Sequence, residues 1–579
     1  MVAVADLHAF ITLLEGEGEL RRVTAEVDPH LEITEIADRC VKSGGPALLF
    51  ERVRGAGLPV AINLFASDRR MALALGVEDL GQVAERLRTL LGLVKRRPGG
   101  MWGALGLLPE LKPLLSMSPR RLTGRAPVQE VVWRGEDVDL RRLPVLTCWP
   151  GDAGPFITLP QVITADPDTG QRNVGVYRMQ VHGPRALGLH WERHKGGAAH
   201  YRVARETGRA IPVAAAIGGD PASVYAAGAP LPEGLDEYVF AGFLRGAPVE
   251  LCRAVSVPLD VPARAEIIIE GFVAADELVR EGPFGDHTGF YDAGGPYPVM
   301  RVTAVTMRRD PVYLTTVVGR PPSEEHWLLG RTSERLFLPL LQAVFPEIAD
   351  VHVPAEGVAN NLVFVALHKR YPGQAYKVAY GLWAVGLLAL SKVVVVVDDW
   401  VPVQQPAAAW WAALANCDPA RDVLIARGPG SVLDHALAAF SFGGKMVIDG
   451  TRKWPEEGGA RAAAWPEPIF MEPAVVEAVT RRWETYGIGP DPGRTAPWAP
   501  SAPVGAGARA TPWSGAPEVG VPAGPGGTAA TAAATEVTAP GDSGAPAGPA
   551  DLAAGADDGP GPDGRPNMGA EGGDGRRGR

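Results

Sequence analysis

Three short stretches of this 579-residue chain gather residue types able to do chemistry. The first is Asn173-Val-Gly-Val-Tyr-Arg178, where a polar Asn enters and an Arg leaves an otherwise apolar run. An Arg inside a strand either lies at a surface or edge, or holds a carboxylate or phosphate with its two-pronged donor geometry. On a flat strand, residues an odd number apart point to opposite faces, so Asn173 is expected in the preceding loop or before a bulge. The second stretch is His190-Trp-Glu192-Arg-His194-Lys195-Gly196-Gly197. In a strand His190, Glu192 and His194 share a face, the pattern of a metal site and equally of a solvated strand face. Lys195 beside Gly196 and Gly197 sets a cation next to bare backbone amides, an arrangement suited to phosphate. The third stretch is Glu281-Gly-Pro-Phe-Gly-Asp286-His287-Thr-Gly-Phe-Tyr291. Gly282, Pro283 and Gly285 favour a tight turn that brings Glu281 and Asp286 together. Two close carboxylates do not both ionise easily, and the one left protonated can serve as a general acid near neutral pH. The alternative is a Gly/Pro loop carrying solvated acids.

The elements that must position these residues fall into successive regions. Leu7, Phe10, Ile11 and Leu14 recur at the spacing of one buried helix face. Gly44-Gly45-Pro46 then leads into strand-like Ala47–Phe50 and Pro59–Leu64. An α/β region over 1–124 follows from these, ending in a basic, Pro-rich segment around Lys95–Arg121. Between 125 and 322 short β-branched runs alternate with turn residues: Val128–Val132, Ile157–Ile163, Val174–Val181, Val249–Val255 and Ala265–Ile269. Val299–Met307 and Val312–Val318 flank Arg308-Arg309-Asp310-Pro311 and read as a hairpin. Many short strands without regular helices predict an antiparallel barrel or sandwich. Over 323–487 the pattern returns to α/β, with Leu362–Leu367 a strand, Ala375–Leu390 an apolar helix and Val393–Val397 a buried parallel strand. Beyond Ile488 there is one Leu, Leu552, and no Ile, Phe or Tyr. Residues 488–579 are therefore expected to be a disordered tail, unable to bury enough apolar area to offset ordering entropy.

Composition narrows the function further. Gly numbers 71 and Pro 54, an excess that fits a folded body with a low-complexity appendage. A net charge of −10 disfavours a broad nucleic-acid surface. Cys40, Cys148, Cys252 and Cys417 are scattered, without a CxxC, so neither a disulfide framework nor a thiolate zinc site is indicated. The N-terminus lacks the basic region of a signal peptide. The apolar stretch Gly381–Trp400 is interrupted by Ser391-Lys392 and closed by Asp398-Asp399, which argues against a membrane span. A cytoplasmic protein is expected. No GxxxxGK[ST], nucleophile elbow GxSxG or HExxH motif is present, and no GxGxxG opens a helix after a strand.

Taken in order, the motifs resemble the UbiD-like family of decarboxylases that use prenylated flavin mononucleotide. The likeness runs from about Asp6 to Tyr486. It is carried by GGPALLFE (Gly44–Glu51), INLFAS (Ile62–Ser67), LPVLTCWPGDAGPFIT (Leu143–Thr158), NVGVYRMQ, HWERHKGG, DEYVFAGFLRG (Asp236–Gly246), EGPFGDHTGFY, VVGRPP (Val317–Pro322) and GGKMVIDGTRKWP (Gly443–Pro455). The resemblance implies an α+β fold, a split β-barrel-like flavin domain between N- and C-terminal α/β regions. It implies a metal site at Asn173, His194 and Glu237, where manganese or magnesium joins the protein to the cofactor phosphate, often with potassium nearby. Flavin contacts fall on Val176, Tyr177, Arg178, His190, Trp191, Glu192, Lys195 and Gly196. The family's catalytic Arg and two acids fall on Arg178, Glu281 and Asp286. The bound flavin supplies the electron sink that an aryl carboxylate lacks, Arg178 orients the carboxylate, and Glu281 or Asp286 protonates the carbon that CO₂ leaves.

In quinone-pathway relatives the positions of His190, Glu192 and Lys195 commonly hold Arg, an apolar residue and Arg. Glu192 places a negative charge near phosphate, which points to a backbone contact there. The N-terminal and central strings are most similar to the quinone-biosynthesis branch, which acts on polyprenylated hydroxybenzoates or naphthoates and implies peripheral membrane association through the substrate. Other members act on small phenolic or heteroaromatic acids, and some run as carboxylases. The resemblance further implies a flavin prenyltransferase as cofactor supplier and a homodimer or homohexamer. Two competing classes are a flavin-free metal-dependent hydrolase built on His190, Glu192 and His194, and a non-catalytic flavin-binding protein.

Overall fold

The computed structural model describes residues 4–95, 117–192, 195–232, 234–359, 361–439, 441–457, 465–489 and 491. Most of the basic Pro-rich segment, His194, and nearly all of the tail expected over 488–579 lie outside the described residues. The first helix, Leu7–Gly16, starts where the Asp6 side chain accepts from the Ala9 amide, and it buries Leu7, Phe10, Ile11 and Leu14 as their spacing predicts. Beside it Leu20–Val27, Ala47–Val53 and Val60–Ile62 form a mixed sheet. Its fourth strand, Tyr313–Leu314, runs parallel to Val60–Ile62. The expected hairpin of Val299–Met307 with Val312–Val318 is therefore not formed. The residues after Pro311 pair with a different sheet.

The sheet that positions the site is wholly antiparallel. Its order is Phe156–Ile157, Met179–Gly183, Ala186–Leu189, Gly295–Met307, Ile267–Glu281, Ile211–Ile217, Gln161–Ala165, Arg172–Val176, with Val131–Arg134 added on Gly295–Met307. The expected single strand Val174–Val181 is thus two strands at opposite ends of this order, joined only by Tyr177 and Arg178. Three Cα–Cα steps reach at most roughly 11 Å. The sheet must therefore curl until its ends nearly meet, which is the split-barrel form implied by the resemblance. Tyr177 and Arg178 cross the seam.

Helices Gly196–Thr207, Pro221–Gly228 and Glu237–Arg245 interrupt this region, contrary to the expectation of strands without regular helices. Their short apolar faces (Tyr238, Phe240, Ala241 and Leu244 in the last) are hard to tell from strand runs by periodicity alone. Pro127–Gln129 is a single tight turn rather than part of a strand. Toward the C-terminus a five-stranded sheet runs Ile348–His352, Leu362–Leu367, Val393–Asp398, Phe442–Gly450, Val423–Pro429, its three central strands parallel. Val394 to Val397 are fully buried, as a continuous β-branched run predicts. The apolar helix expected over Ala375–Leu390 is Gln374–Leu382 followed by a turn and a short tight helix, Gly386–Leu390. Among the described residues no helix is long and apolar enough to cross a membrane.

Candidate active site

Arg178 stands at the seam, its side chain buried, within reach of three carboxylates. Nη1 donates to Asp286 Oδ2, and Nη2 donates to Glu281 Oε1 at 2.7 Å and to Asp292 Oδ2. Its Cζ lies 4.6 Å from the Phe284 ring centroid. The acids arrive from one continuous device. The long strand Ile267–Glu281 delivers Glu281 at its last residue, and Phe284–Gly285 then pairs with Tyr291–Asp292 in a small hairpin. Asp152 fixes that hairpin by accepting from the Gly285 amide at 2.8 Å, while its other oxygen accepts from the Trp149 amide at 2.8 Å. Gly294 (φ +71°) lets the chain return so closely that a Cβ there would sit 2.2 Å from the Glu281 carbonyl oxygen.

Each of the two expected acids also meets a histidine. His190 Nδ1 lies 2.8 Å from Glu281 Oε1, with the His190 ring centroid 4.4 Å from that of Tyr297 in a tilted contact. His287 Nδ1 lies 2.8 Å from Asp286 Oδ1, which also accepts from the His287 amide at 2.6 Å. Hence Glu281 and Asp286 converge on Arg178 rather than on each other. Burial alone would raise both carboxyls. For Glu281 the hydrogen bond with His190 and the Arg178 charge outweigh that and lower it. For Asp286 the His287 contacts and Arg178 do the same, more strongly. The expectation that the pair shares one proton near neutral pH gives way to two ionised carboxylates. The reason is that the sequence pattern shows the repulsion but not Arg178, His190 and His287 as the partners of these acids. Glu281 Oε1 is taken by two donors, whereas Oε2 is buried without a partner among the described residues, as is His190 Nε2. Asp292, His190 as a carboxylate partner and His287 were not singled out for these roles from sequence. Position supplied a signal only for His287, which directly follows Asp286.

A second cluster adjoins the first. Asn173 lies within the strand Arg172–Val176, not before it. The strand ends at Val176, so the Tyr177–Arg178 link turns both ends of the motif toward one place. Tyr177 Oη accepts from the Gly197 amide at 3.3 Å and from Asn173 Nδ2 at 3.4 Å. A Cβ at Gly196 would lie 2.0 Å from Asn173 Oδ1, and one at Gly197 would lie 2.8 Å from Trp191 Nε1. Only glycines permit this approach. Glu237 opens the helix Glu237–Arg245 behind the capping residue Asp236, and its Oε2 accepts from the Val174 amide at 3.0 Å. Burial pushes the Glu237 carboxyl up to about 7. Lys195 stands immediately before the helix Gly196–Thr207, whose free amides favour an anion. Trp191 packs its ring 5.8 Å from Tyr201, and its indole N–H is buried without a partner among the described residues.

These residues fit the groups the resemblance implies. A buried carboxyl beside an Asn amide oxygen suits a hard divalent cation. An orphaned indole N–H, Lys195 and a glycine-rich helix start suit a flavin phosphate arm. The strand face that would have carried His190, Glu192 and His194 is not present at His190 or Glu192, and His194 lies outside the described residues. The strand Ala186–Leu189 stops short of His190, and His190 turns to Glu281. Donor atoms of His190, Glu281 and Asp292 do lie within 4.8 Å of one another. Both of those carboxylates already bind the Arg178 guanidinium, whose charge opposes a metal ion there.

A buried arginine gripped by acids at the seam of a split barrel, next to a helix start, makes a site able to receive a small carboxylate beside a phosphate-bearing group. Family models for the N-terminal domain, the Rift-related domain and the C-terminal domain of 3-octaprenyl-4-hydroxybenzoate carboxy-lyase match residues 11–89, 120–321 and 327–450. An uncharacterized protein of Aquifex aeolicus is 50% identical over 486 residues, 83% of this chain and 99% of its own. The UbiD-class enzyme HmfF from Pelotomaculum thermopropionicum, solved in complex with FMN, superposes with a TM-score of 0.69 at 32% identity, covering 82% of this chain and 98% of that one. An evolved dimeric form of HmfF in complex with prFMN gives 0.67 at the same identity and coverage. The vanillic acid decarboxylase of Sedimentibacter hydroxybenzoicus in its closed form gives 0.71 at 26% identity, covering 84% and 99%. The chain belongs to the UbiD family and is a decarboxylase, a carboxy-lyase.

Proposed function

We propose that this protein removes CO₂ from a small, polar aromatic or heteroaromatic acid with prenylated FMN and a divalent metal. The observation that carries this is the buried Arg178, held by Glu281, Asp286 and Asp292 beside atoms that lack partners among the described residues: Glu281 Oε2, His190 Nε2 and Trp191 Nε1. Tyr177, Trp191, Lys195 and Gly196 would hold the flavin. Asn173, Glu237 and His194 would hold manganese or magnesium. When bound, the flavin supplies a sink for the electrons released with CO₂.

The chain's own residues do the rest. Arg178 offers the planar donor pair that a carboxylate requires. It can exchange Asp292, the most exposed of its three partners, for the substrate. Glu281 keeps Oε1 anchored on Arg178 and His190 and rests ionised, so Oε2 is the atom free to take up a proton from solvent when the substrate enters. Removal of the substrate carboxylate is then completed by delivery of that proton to carbon. Burial keeps water away from the exchange.

Charge around Arg178 favours a small polar acid over a polyprenylated one. Glu192, Lys195, Asp286, His287 and Glu325 interact electrostatically across this site, and laying an apolar chain against them would strip their hydration. The strings similar to the quinone-biosynthesis branch support the second reading, a polyprenylated hydroxybenzoate or naphthoate. Protein co-expressed with a flavin prenyltransferase and offered both kinds of acid decides the matter by CO₂ release. Turnover of vanillate-type or small heteroaromatic acids alone supports the first reading. Turnover of the polyprenylated acid alone overturns it.

A further inference from the structure

His287 is absent from every role assigned so far, yet it is built into the site from several sides. Its amide and its Nδ1 both reach Asp286 Oδ1, at 2.6 and 2.8 Å. That leaves Asp286 Oδ2 to grip Arg178 Nη1. The loop is closed behind it, since the Asp286 amide donates to the Phe290 carbonyl at 3.1 Å and the Gly289 amide to the Asp286 carbonyl at 2.9 Å. The Phe290 ring in turn meets His435 of the C-terminal region in a tilted contact, centroids 4.4 Å apart. The side chain of His287 is only 17% exposed, so its ionisation is governed by the groups facing it. Those are Asp286 in its own loop, Glu325 just after Pro321-Pro322, and Glu192 from the link following the strand Ala186–Leu189. Lys195, at the start of the helix Gly196–Thr207, faces Glu325 in the same cluster.

A hydrogen-bonded chain thus runs His287–Asp286–Arg178–Glu281–His190. Arginine in its middle does not titrate in proteins, so protonation of either end is felt by Arg178 only through the carboxylate beside it. We propose that His287 is a further positioning residue: acting through Asp286 it fixes the guanidinium that receives the substrate carboxylate, and loss of its proton ends turnover on the alkaline side. Burial opposes charge on the imidazole, but Glu325 above all, then Asp286, overcomes that and raises it to about 9. At neutral pH His287 is therefore a second cation beside Arg178. Without its charge, Arg178 and Lys195 alone would face the surrounding acids, and Asp286 would keep Arg178 as its one ionic partner in the chain.

This rests on the decarboxylase reading above, and the test separates the two. The first measurement needs no substrate. Histidine ring resonances of the flavin-loaded protein are followed by NMR against pH, with the His287 signal assigned by its loss in His287→Asn. A midpoint near 9 is expected, moving toward the ordinary 6.5 in Glu325→Gln. The second measurement is the pH profile of kcat. The wild type should lose activity as pH rises through about 9. His287→Asn keeps a donor close to the Nδ1 position but has nothing to titrate. It should therefore lack that alkaline limb and turn over at every pH at the low rate the wild type reaches above it. His287→Ala, without the donor, should fall further. A merely structural histidine would leave the limb in place in His287→Asn. That result overturns the proposal, as does a His287 midpoint at or below 6.5. If no acid is turned over, the NMR midpoint still decides the charge of His287, and the decarboxylase reading fails separately.

Discussion

Replacing Glu281 by Gln preserves size and leaves an amide oxygen where Oε1 now accepts from Arg178 Nη2 at 2.7 Å and His190 Nδ1 at 2.8 Å. The change is confined to the other position, where the unpartnered Oε2 becomes an amide that neither gains nor gives up a proton. Arg178 keeps Asp286 and Asp292, so the guanidinium stays anchored on two of its three carboxylates. The Asn173, Glu237, Trp191 and Lys195 cluster is untouched, so flavin absorbance and metal content should match the wild type. Loss of a positioned proton donor lowers turnover by roughly 10²-fold or more, equivalent to at least about 2.7 kcal/mol of barrier. The assay is CO₂ release per bound flavin, read from absorbance-normalised protein under saturating acid. The loss should fall on kcat, because the carboxylate-binding arginine is retained. Wild-type kcat in fully loaded Glu281→Gln would refute the assignment of Oε2 as the atom that carries the proton. A loss confined to KM would instead make Glu281 a support for Arg178.

Gly196→Ala should abolish flavin retention at unchanged secondary structure, read by absorbance and circular dichroism, because its Cβ would meet Asn173 Oδ1 at 2.0 Å. Glu237→Ala should strip bound manganese, measured by elemental analysis, and with it most of the flavin. Intact metal content in that variant would remove Glu237 from the ligand set. At acid pH the three-carboxylate grip on Arg178 should set the stability. Asp286 and Glu281 are held below their ordinary values, so their contribution is complete above the usual carboxylate range and is lost as pH falls through it toward the folded values. Melting temperature should therefore drop less steeply from pH 6 to pH 3 in Asp286→Asn than in the wild type, and equal slopes would show that Asp286 is not a linked group.

What was legible in the sequence divides along a physical line. Periodicity exposed whatever one element decides by itself: the face of Leu7, Phe10, Ile11 and Leu14, and the buried run Val394 to Val397. The ordered motifs located Arg178, Glu281 and Asp286, and the structure brings these three together. The failures of strand pairing involve a partner distant in sequence. Tyr313–Leu314 looks like half of a hairpin because its actual partner, Val60–Ile62, lies far earlier in the chain. Val174–Val181 reads as one strand because nothing local announces that its halves belong to opposite edges of a curled sheet. In the protonation of the acids, too, partners went unread. Spacing can say that Glu281 and Asp286 come close, and on that basis repulsion would dominate. Yet the sign of each shift is set by His190, His287 and Arg178, which reach the acids from separate strands, loops and links. Where cations are delivered by a fold's closure, sequence can name the titrating groups before it can say which of them holds the proton.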